Sequence, residues 1–425
     1  MQPNFRRRRD TINLQHVNSE NYQYHRLKNG IRIVFRRNSS PVVHSGVYIN
    51  VGSRDEAKNE EGLAHFIEHA IFKGTEKRKA FHILNRIDGV GGELNAYTTK
   101  EETCIYASAL TQYLERCMEL FADVLFHSTF PAKELVKESE VIIDEINSYK
   151  DTPSELIFDD FEELYFGKHS LAHYILGTPR NIRKYNSASL HTFMKKNYTT
   201  DKMVISIVGN VDFEKVISLC ERYFGAQEAT VSSGRREAVS ATNTFVESRN
   251  KHGHQVHALL GCPAYNSFDD KRIVFTLINN ILGGPAMNSR LNVAIREKYG
   301  LCYNIETQYT LFSDTGIFYI YMATHPDFKE KIMELVFREL EKLRKTALGT
   351  TQLHLAKMQL IGQMAINNDQ ALNEMQSIGK SYLVYDRVDT MEEISTEINS
   401  ITPSQVLEAA NEILLPDRFS RLYYN

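Results

Sequence analysis

The chain has no CxxC pair. Its five cysteines (Cys104, Cys117, Cys220, Cys262, Cys302) are odd in number and scattered. That excludes a thiolate zinc site and a disulfide framework, and it points to a reducing compartment. There is no excess of one charge either. Fifty basic and 53 acidic residues leave a formal net charge of −3, which gives no support to nucleic-acid binding. No apolar run reaches the ~18 residues of a membrane span, so no membrane partner is expected. The start, MQPNFRRRRDTINLQ, has four arginines and no apolar segment after them. It is read as a basic tail over residues 1–20 rather than a secretory signal. A transit peptide is the alternative, and Asp10 and Glu20 argue against it.

What the chain does have is length and a repeat. At 425 residues with 42% hydrophobic side chains it has material for two or three domains. Residues from about Tyr24 to Val51 read as two strands, with a turn signal at Asn29-Gly30. The spacing then predicts a helix bounded by Asn59 as N-cap and Gly74 at the C′ position. A strand near Leu94–Leu110, helices near Gln112–Phe126 and Ala132–Tyr149, a strand in KMVISIVGNV and a helix near Phe213–Tyr223 follow. The stretch Ala226–Thr244 is rich in Ser, Thr, Ala and Gly and reads as a linker between residues 21–225 and 245–425. Beyond it the plan repeats. Met-Glu-Leu at 118–120 recurs at 333–335, an offset of 215 positions.

The chemistry concentrates in GLAHFIEHAIFKGT, residues 62–75. On a helix His65 and His69 share one face, and Glu68 projects beside them. Two imidazoles at that spacing can grip one metal ion, and a neighbouring glutamate can act on water at that ion. Hydrogen-bonded core histidines are the plainer account. A third ligand is available in KELVKESEVIIDEINSY. Its apolar stripe is Leu135, Ile142, Ile146 and Tyr149; Glu145 lies on the flank of that stripe, with Glu138 two turns earlier in nearly the same direction and Asp144 pointing to solvent. At the repeat offset Glu138 maps to Leu353 and Glu145 to Leu360, and no second HxxEH exists. A further cluster, His252, His254 and His257 in KHGHQVH, lacks a nearby carboxylate and reads as surface strand histidines.

These residues, with GGELNAYTTKEET, ILGTPRNI and GGPAMNSRLNVAIREKYGLCYNI, resemble the pitrilysin-type (inverzincin, M16) zinc metallopeptidases, within them the short processing-peptidase-like branch. The resemblance runs from about Tyr24 to the C-terminal region. It implies an α+β fold (LuxS/processing-peptidase-like metallohydrolase) of two homologous domains, each an antiparallel sheet packed with helices. It implies Zn2+ held by His65, His69 and Glu145, with Glu68 as general base and Glu138 behind the ligands. Residues Gly92, Glu93, Leu94, Asn95 and Ala96 would receive an extended peptide as an added strand, although glycines that merely shape a turn would look the same. Arg296 and Tyr303 would anchor substrate and stabilise the tetrahedral intermediate. In isolation they read as a surface ion-pair partner and a core aromatic. One departure is Ser139, where many relatives carry arginine beside the first glutamate of this helix. The family forms clam-shaped chambers, and a chain of this length is half of one. The implied protein is a cytoplasmic bacterial homodimer hydrolysing unfolded peptides, with Arg296 and Tyr303 supplied in trans; the mitochondrial matrix is the alternative location. Two rivals are a non-catalytic structural subunit and a small HxxEH lyase, whose single-domain size disagrees with a duplicated chain.

Overall fold

The computed structural model describes residues 22–425 apart from Ser233, His252 and His254. The expected basic tail and two of the three clustered histidines lie outside the described residues.

Runs of β-branched, aromatic and other apolar side chains build two sheets whose central strands are buried on both faces. The first contains β1 (Gln23–Arg26), β2 (Arg32–Arg37), β3 (Val42–Ile49), β4 (Glu93–Thr98), β5 (Thr103–Leu110) and β6 (Met203–Gly209), in the order β1-β2-β6-β3-β5-β4. The second contains β7 (Val246–Arg249), β8 (Val256–Ala264), β9 (Cys302–Leu311), β10 (Gly316–Thr324) and β11 (Ser420–Tyr424), in the order β7-β11-β8-β10-β9. Pairing is antiparallel except for one parallel pair in each sheet, β2 with β6 and β7 with β11. Two expected strands are hairpins. Asn29-Gly30 splits the first into β1 and β2, because Gly30 takes φ +98° and Leu27 N–H closes the turn on Ile31 O at 2.8 Å. The segment Leu94–Leu110 folds back at Thr99–Glu102 into β4 and β5. The helix Ala80–Asp88 was not anticipated from the sequence.

The 215-residue offset holds in space. It carries β3 onto β8, β5 onto β10 and β6 onto β11, and helix Ala132–Lys150 onto helix Thr350–Asn368. One face of each sheet is covered by its own helices. Val47, Ile105, Phe121 and Ile142 share the first core, and Leu260, Ile320, Val336 and Leu360 share the second. The other faces are covered by exchange. Helix Ala371–Tyr385 lays Met375, Ile378 and Tyr382 on Val34, Tyr48 and Val204 of the first sheet. Helix Pro153–Phe166 lays Ile157 and Phe161 on Leu259, Tyr319 and Leu422 of the second. Glycine makes the close approach possible. A Cβ at Gly261 would stand 2.5 Å from the Phe161 ring, and one at Gly46, its counterpart in β3, 3.4 Å from Met375 Sδ. Each fully buried side chain of this size stabilises by roughly 1.5–3 kcal/mol, so neither half covers its sheet without the other.

The described residues of the stretch Ala226–Thr244 form neither helix nor strand, yet the stretch is tied down at Arg236 and Glu237. Arg236 donates to Asp55 at 2.8 and 3.0 Å and to Glu101 O at 2.7 Å. Beside it the enclosed Arg54 guanidinium bonds both oxygens of Asp314 at 2.7 Å, Glu101 Oε1 at 2.6 Å and Glu237 O at 2.8 Å. This network joins the first sheet, the connecting stretch and the β9–β10 turn. Removing one partner of such a cluster strands the others in low dielectric, at about 3–5 kcal/mol. Arg54→Leu is expected to lower the denaturant midpoint accordingly, and an unchanged midpoint would show that the network does not hold the halves together.

Candidate metal centre

The motif helix spans Leu63–Ala70. Its start differs from the expected one. Asn59 does not cap it; Gly62 is the N-cap residue, at φ +86°. The Glu56 carboxylate reaches back to accept from Gly62 N–H at 3.0 Å and Ala64 N–H at 2.7 Å. A glutamate six residues before the N-cap thus satisfies amides that a capping Asn would have taken. Gly62 also packs against Gly177 of ILGTPRNI; a Cβ at Gly62 would lie 2.7 Å from the Gly177 Cα. Gly74 is not the C′ residue. The helix closes at Ile71, whose N–H bonds Ile67 O at 2.9 Å, while Gly74 pairs with Lys79.

Leu63, Phe66, Ile67 and Ala70 are buried in the first core. Their helix packs against helix Ala132–Lys150, which buries Leu135, Ile142, Ile143 and Ile146 and leaves Asp144 exposed. Between the two helices His65, His69 and Glu145 each offer a ligand atom, all within 4.8 Å of one another. Glu145 Oε2 stands 3.9 Å from His65 Nε2 and 3.6 Å from His69 Nε2. Among the described residues this is the one such group close enough to hold a metal ion.

The electrostatics suit that use. Burial, with a smaller push from His69, lowers the His65 pKa to about 3, so its ring is neutral as a ligand must be. His65 Nδ1 is enclosed and has no hydrogen-bond partner. Burial opposes charge on His69, but Glu138, Glu68 and Glu145 outweigh it and its pKa rises. Glu138 Oε2 lies 3.3 Å from His69 Nδ1, and its Oε1 is 2.6 Å from Lys73 Nζ. Burial raises the Glu138 pKa, and the hydrogen bonds from His69 and Lys73 with the Lys73 charge more than reverse that. Lys73 therefore supplies the cation that the absent arginine at Ser139 left in doubt. It was missed in the sequence, although its place four residues beyond His69 was a readable signal. Glu68 Oε2 is enclosed without a partner. Burial raises the Glu68 pKa, against the pull of the Thr98 hydroxyl and His69. Two imidazole nitrogens, a carboxylate and a second carboxylate with one enclosed, unpartnered oxygen form a donor set that fits zinc with an open position.

Of the other expected residues, those of β4 run beside the motif helix, whereas Arg296 and Tyr303 are not joined to the cluster. β4 is the free edge of the first sheet, with Glu93 and Asn95 exposed. Arg296 lies in a π-helical turn, Asn292–Glu297, and its ion pair is with Glu297 at 3.8 Å. Tyr303 is 65% exposed on β9 rather than a core aromatic. Among the described residues no hydrogen bond or ion pair joins either to His65, Glu68, His69 or Glu145. His257 is partly buried in β8, with Nδ1 2.8 Å from the Tyr321 hydroxyl.

A duplicated α+β chain with an HxxEH helix and a carboxylate from a second helix is the architecture of the inverted-motif metallopeptidases. The profile of "Insulinase (Peptidase family M16)" matches residues 32–179, and that of "Peptidase M16 inactive domain" matches residues 184–360. The chain belongs to peptidase family M16. It is 33% identical to the zinc protease YmxG of Bacillus subtilis over 395 residues, 92% of this chain and 95% of that one. A zinc protease of Rickettsia felis is 32% identical, over 93% and 95% of the two chains. In three dimensions the chain is similar to a peptidase M16 inactive domain from Pseudomonas fluorescens, with TM-score 0.88, 21% identity and coverage of 95% and 97%. A protease from Helicobacter pylori gives TM-score 0.87 at 20% identity, covering 96% and 100%. The half matched by the "inactive domain" profile is the half without the cluster. Among the described residues no helix is long and apolar enough to cross a membrane.

Proposed function

We propose that the protein is a zinc endopeptidase acting on extended or unfolded peptides inside a chamber closed by two copies of the chain. The observation that carries this reading is the convergence of His65, His69 and Glu145 within 4.8 Å, with the enclosed Glu68 carboxylate beside them. The zinc-protease names of the relatives agree with it. Zinc held by those three side chains would supply a Lewis acid and bring the pKa of a bound water towards neutrality.

Glu68 takes the proton of the attacking water and returns it to the leaving amine. Its upward pKa shift moves it towards the operating pH, where a group serves best in both directions. Glu138 orients His69 through Nδ1 and is held in turn by Lys73. The free edge of β4 binds the peptide main chain as an added strand, which demands little of its sequence. Arg296 grips substrate and the Tyr303 hydroxyl donates to the developing oxyanion, both from the second copy. Five free, buried cysteines suit a reducing, cytoplasmic setting.

Metal analysis of the purified protein tests the core of this reading. About one zinc per chain is expected. His65→Ala and Glu145→Gln should each lose most of it, and chelation should abolish peptide hydrolysis that added zinc restores. Full activity in a metal-free preparation would overturn the proposal.

A further inference from the structure

The second copy of the fold has a cavity beside the place where the first gathers His65, His69 and Glu145. At the repeat offset His65 corresponds to Asn280, Glu138 to Leu353 and Glu145 to Leu360. Leu353 and Leu360 are buried in the second core, and Asn280 lines a neighbouring cavity of about 200 Å³ between helix Arg272–Gly283 and helix Thr350–Asn368. Its polar lining is Asn280, Asn288, Ser289, Arg290, Gln352 and Gln359, with no aspartate or glutamate.

The Arg290 side chain forms no hydrogen bond or ion pair among the described residues. Glu339, whose charge reaches it, is bonded to Lys342. Burial depresses the Arg290 pKa, the mark of a guanidinium short of a counter-ion. The amides around it have donors to spare. Gln359 Nε2 donates to Asn288 Oδ1 at 3.1 Å, which leaves the Asn288 amide N–H groups free. Gln352 accepts from Gly349 N–H through Oε1 at 3.2 Å, which leaves its Nε2 free. A guanidinium and several amide donors, with no acid of their own, are the recognition chemistry of a carboxylate. The volume suits one small side chain or a chain end. Leu355 on the lining is 62% exposed and Met287, beside Asn288, is 73% exposed, so apolar surface is available for the residues next to that carboxylate. Arg290 also lies six residues before Arg296, on the same run of chain.

We infer that this cavity is a carboxylate-binding subsite for peptides, with Arg290 as its anchor and Asn280, Asn288 and Gln352 as donors. The carboxylate comes from an acidic side chain or from the peptide's C-terminus. The inference rests on the peptide-hydrolase reading above and adds a preference to it.

The test is fluorescence anisotropy with labelled peptides on the Glu68→Gln protein, so that binding is read without cleavage. Three peptides share one sequence. The first is neutral with an amidated end, the second has Glu in place of Gln, and the third has a free C-terminal carboxylate. At least one acidic peptide should bind about tenfold more tightly than the neutral one, as a charge-assisted contact does; the arm that responds identifies the source. Arg290→Gln in the same background should erase the ratio and Arg290→Lys should keep part of it. Should Arg290→Gln fail to fold by circular dichroism, Asn280→Leu with Gln352→Leu must reduce the ratio instead. Equal binding of all three peptides overturns the inference, as does a ratio that survives these substitutions. A change in dimer mass on Arg290→Gln with the ratio intact also overturns it, since the cavity would then hold a side chain of the second copy. Cleavage of the neutral peptide by the wild type reports separately on the peptidase reading.

Discussion

Glu68→Gln is expected to keep its metal at wild-type stoichiometry and to lose peptide hydrolysis by about 10²–10⁴-fold, the contribution of a positioned general base. The substitution preserves shape and removes the proton acceptor. Glu68 is not among the three side chains whose ligand atoms converge, so metal retention should not move. Its Oε2 is enclosed with no partner, so no protein hydrogen bond at that atom is broken. The sign of the stability change is also set. Folding raises the Glu68 pKa, so the stability this group contributes is present below the unfolded value and is lost as pH rises through the folded one. In the metal-free protein at neutral pH the neutral glutamine should therefore be at least as stable as the wild type. Lost activity with intact metal and an undiminished melting temperature would identify a chemical role. Wild-type turnover in this variant would remove Glu68 from the mechanism.

Mixing two inactive variants should restore activity. Arg296 and Tyr303 stand exposed on the second half of the chain, unconnected by hydrogen bond or ion pair to the cluster on the first. If each site takes them from the other copy, Glu68→Gln and Tyr303→Phe have their defects in different components. A mixed dimer then has one site with both defects. Its other site combines the intact metal cluster of the Tyr303→Phe chain with the intact Arg296/Tyr303 pair of the Glu68→Gln chain. With random exchange about half the dimers are mixed and each has one working site, so recovery should approach about a quarter of wild-type activity. Two parents each reduced ~10²-fold or more make that a large rise. Mixtures that stay as inactive as their parents, with exchange confirmed by mass, would place the whole site within one chain.

The sequence by itself determined what each element carries. The i, i+4 spacing set His65 and His69 on one helical face, and the apolar stripe of Ala132–Lys150 put Glu145 on its flank. The offset of 215 residues announced a duplication in which only one copy has HxxEH and the second-helix glutamates. All of these are local or periodic properties, set by 3.6 residues per turn and by alternation in strands. Tertiary structure decided the rest. Glu56 displaced Asn59 at the helix start because the fold brings a longer acid within reach of the free amides. Lys73 became the partner of Glu138 across two elements. The halves exchanged helices because each sheet has a second apolar face, and no periodicity within an element says which distant helix will cover it. The same reason left the unpartnered Arg290 invisible in sequence, since the lack of a counter-ion is a property of its surroundings.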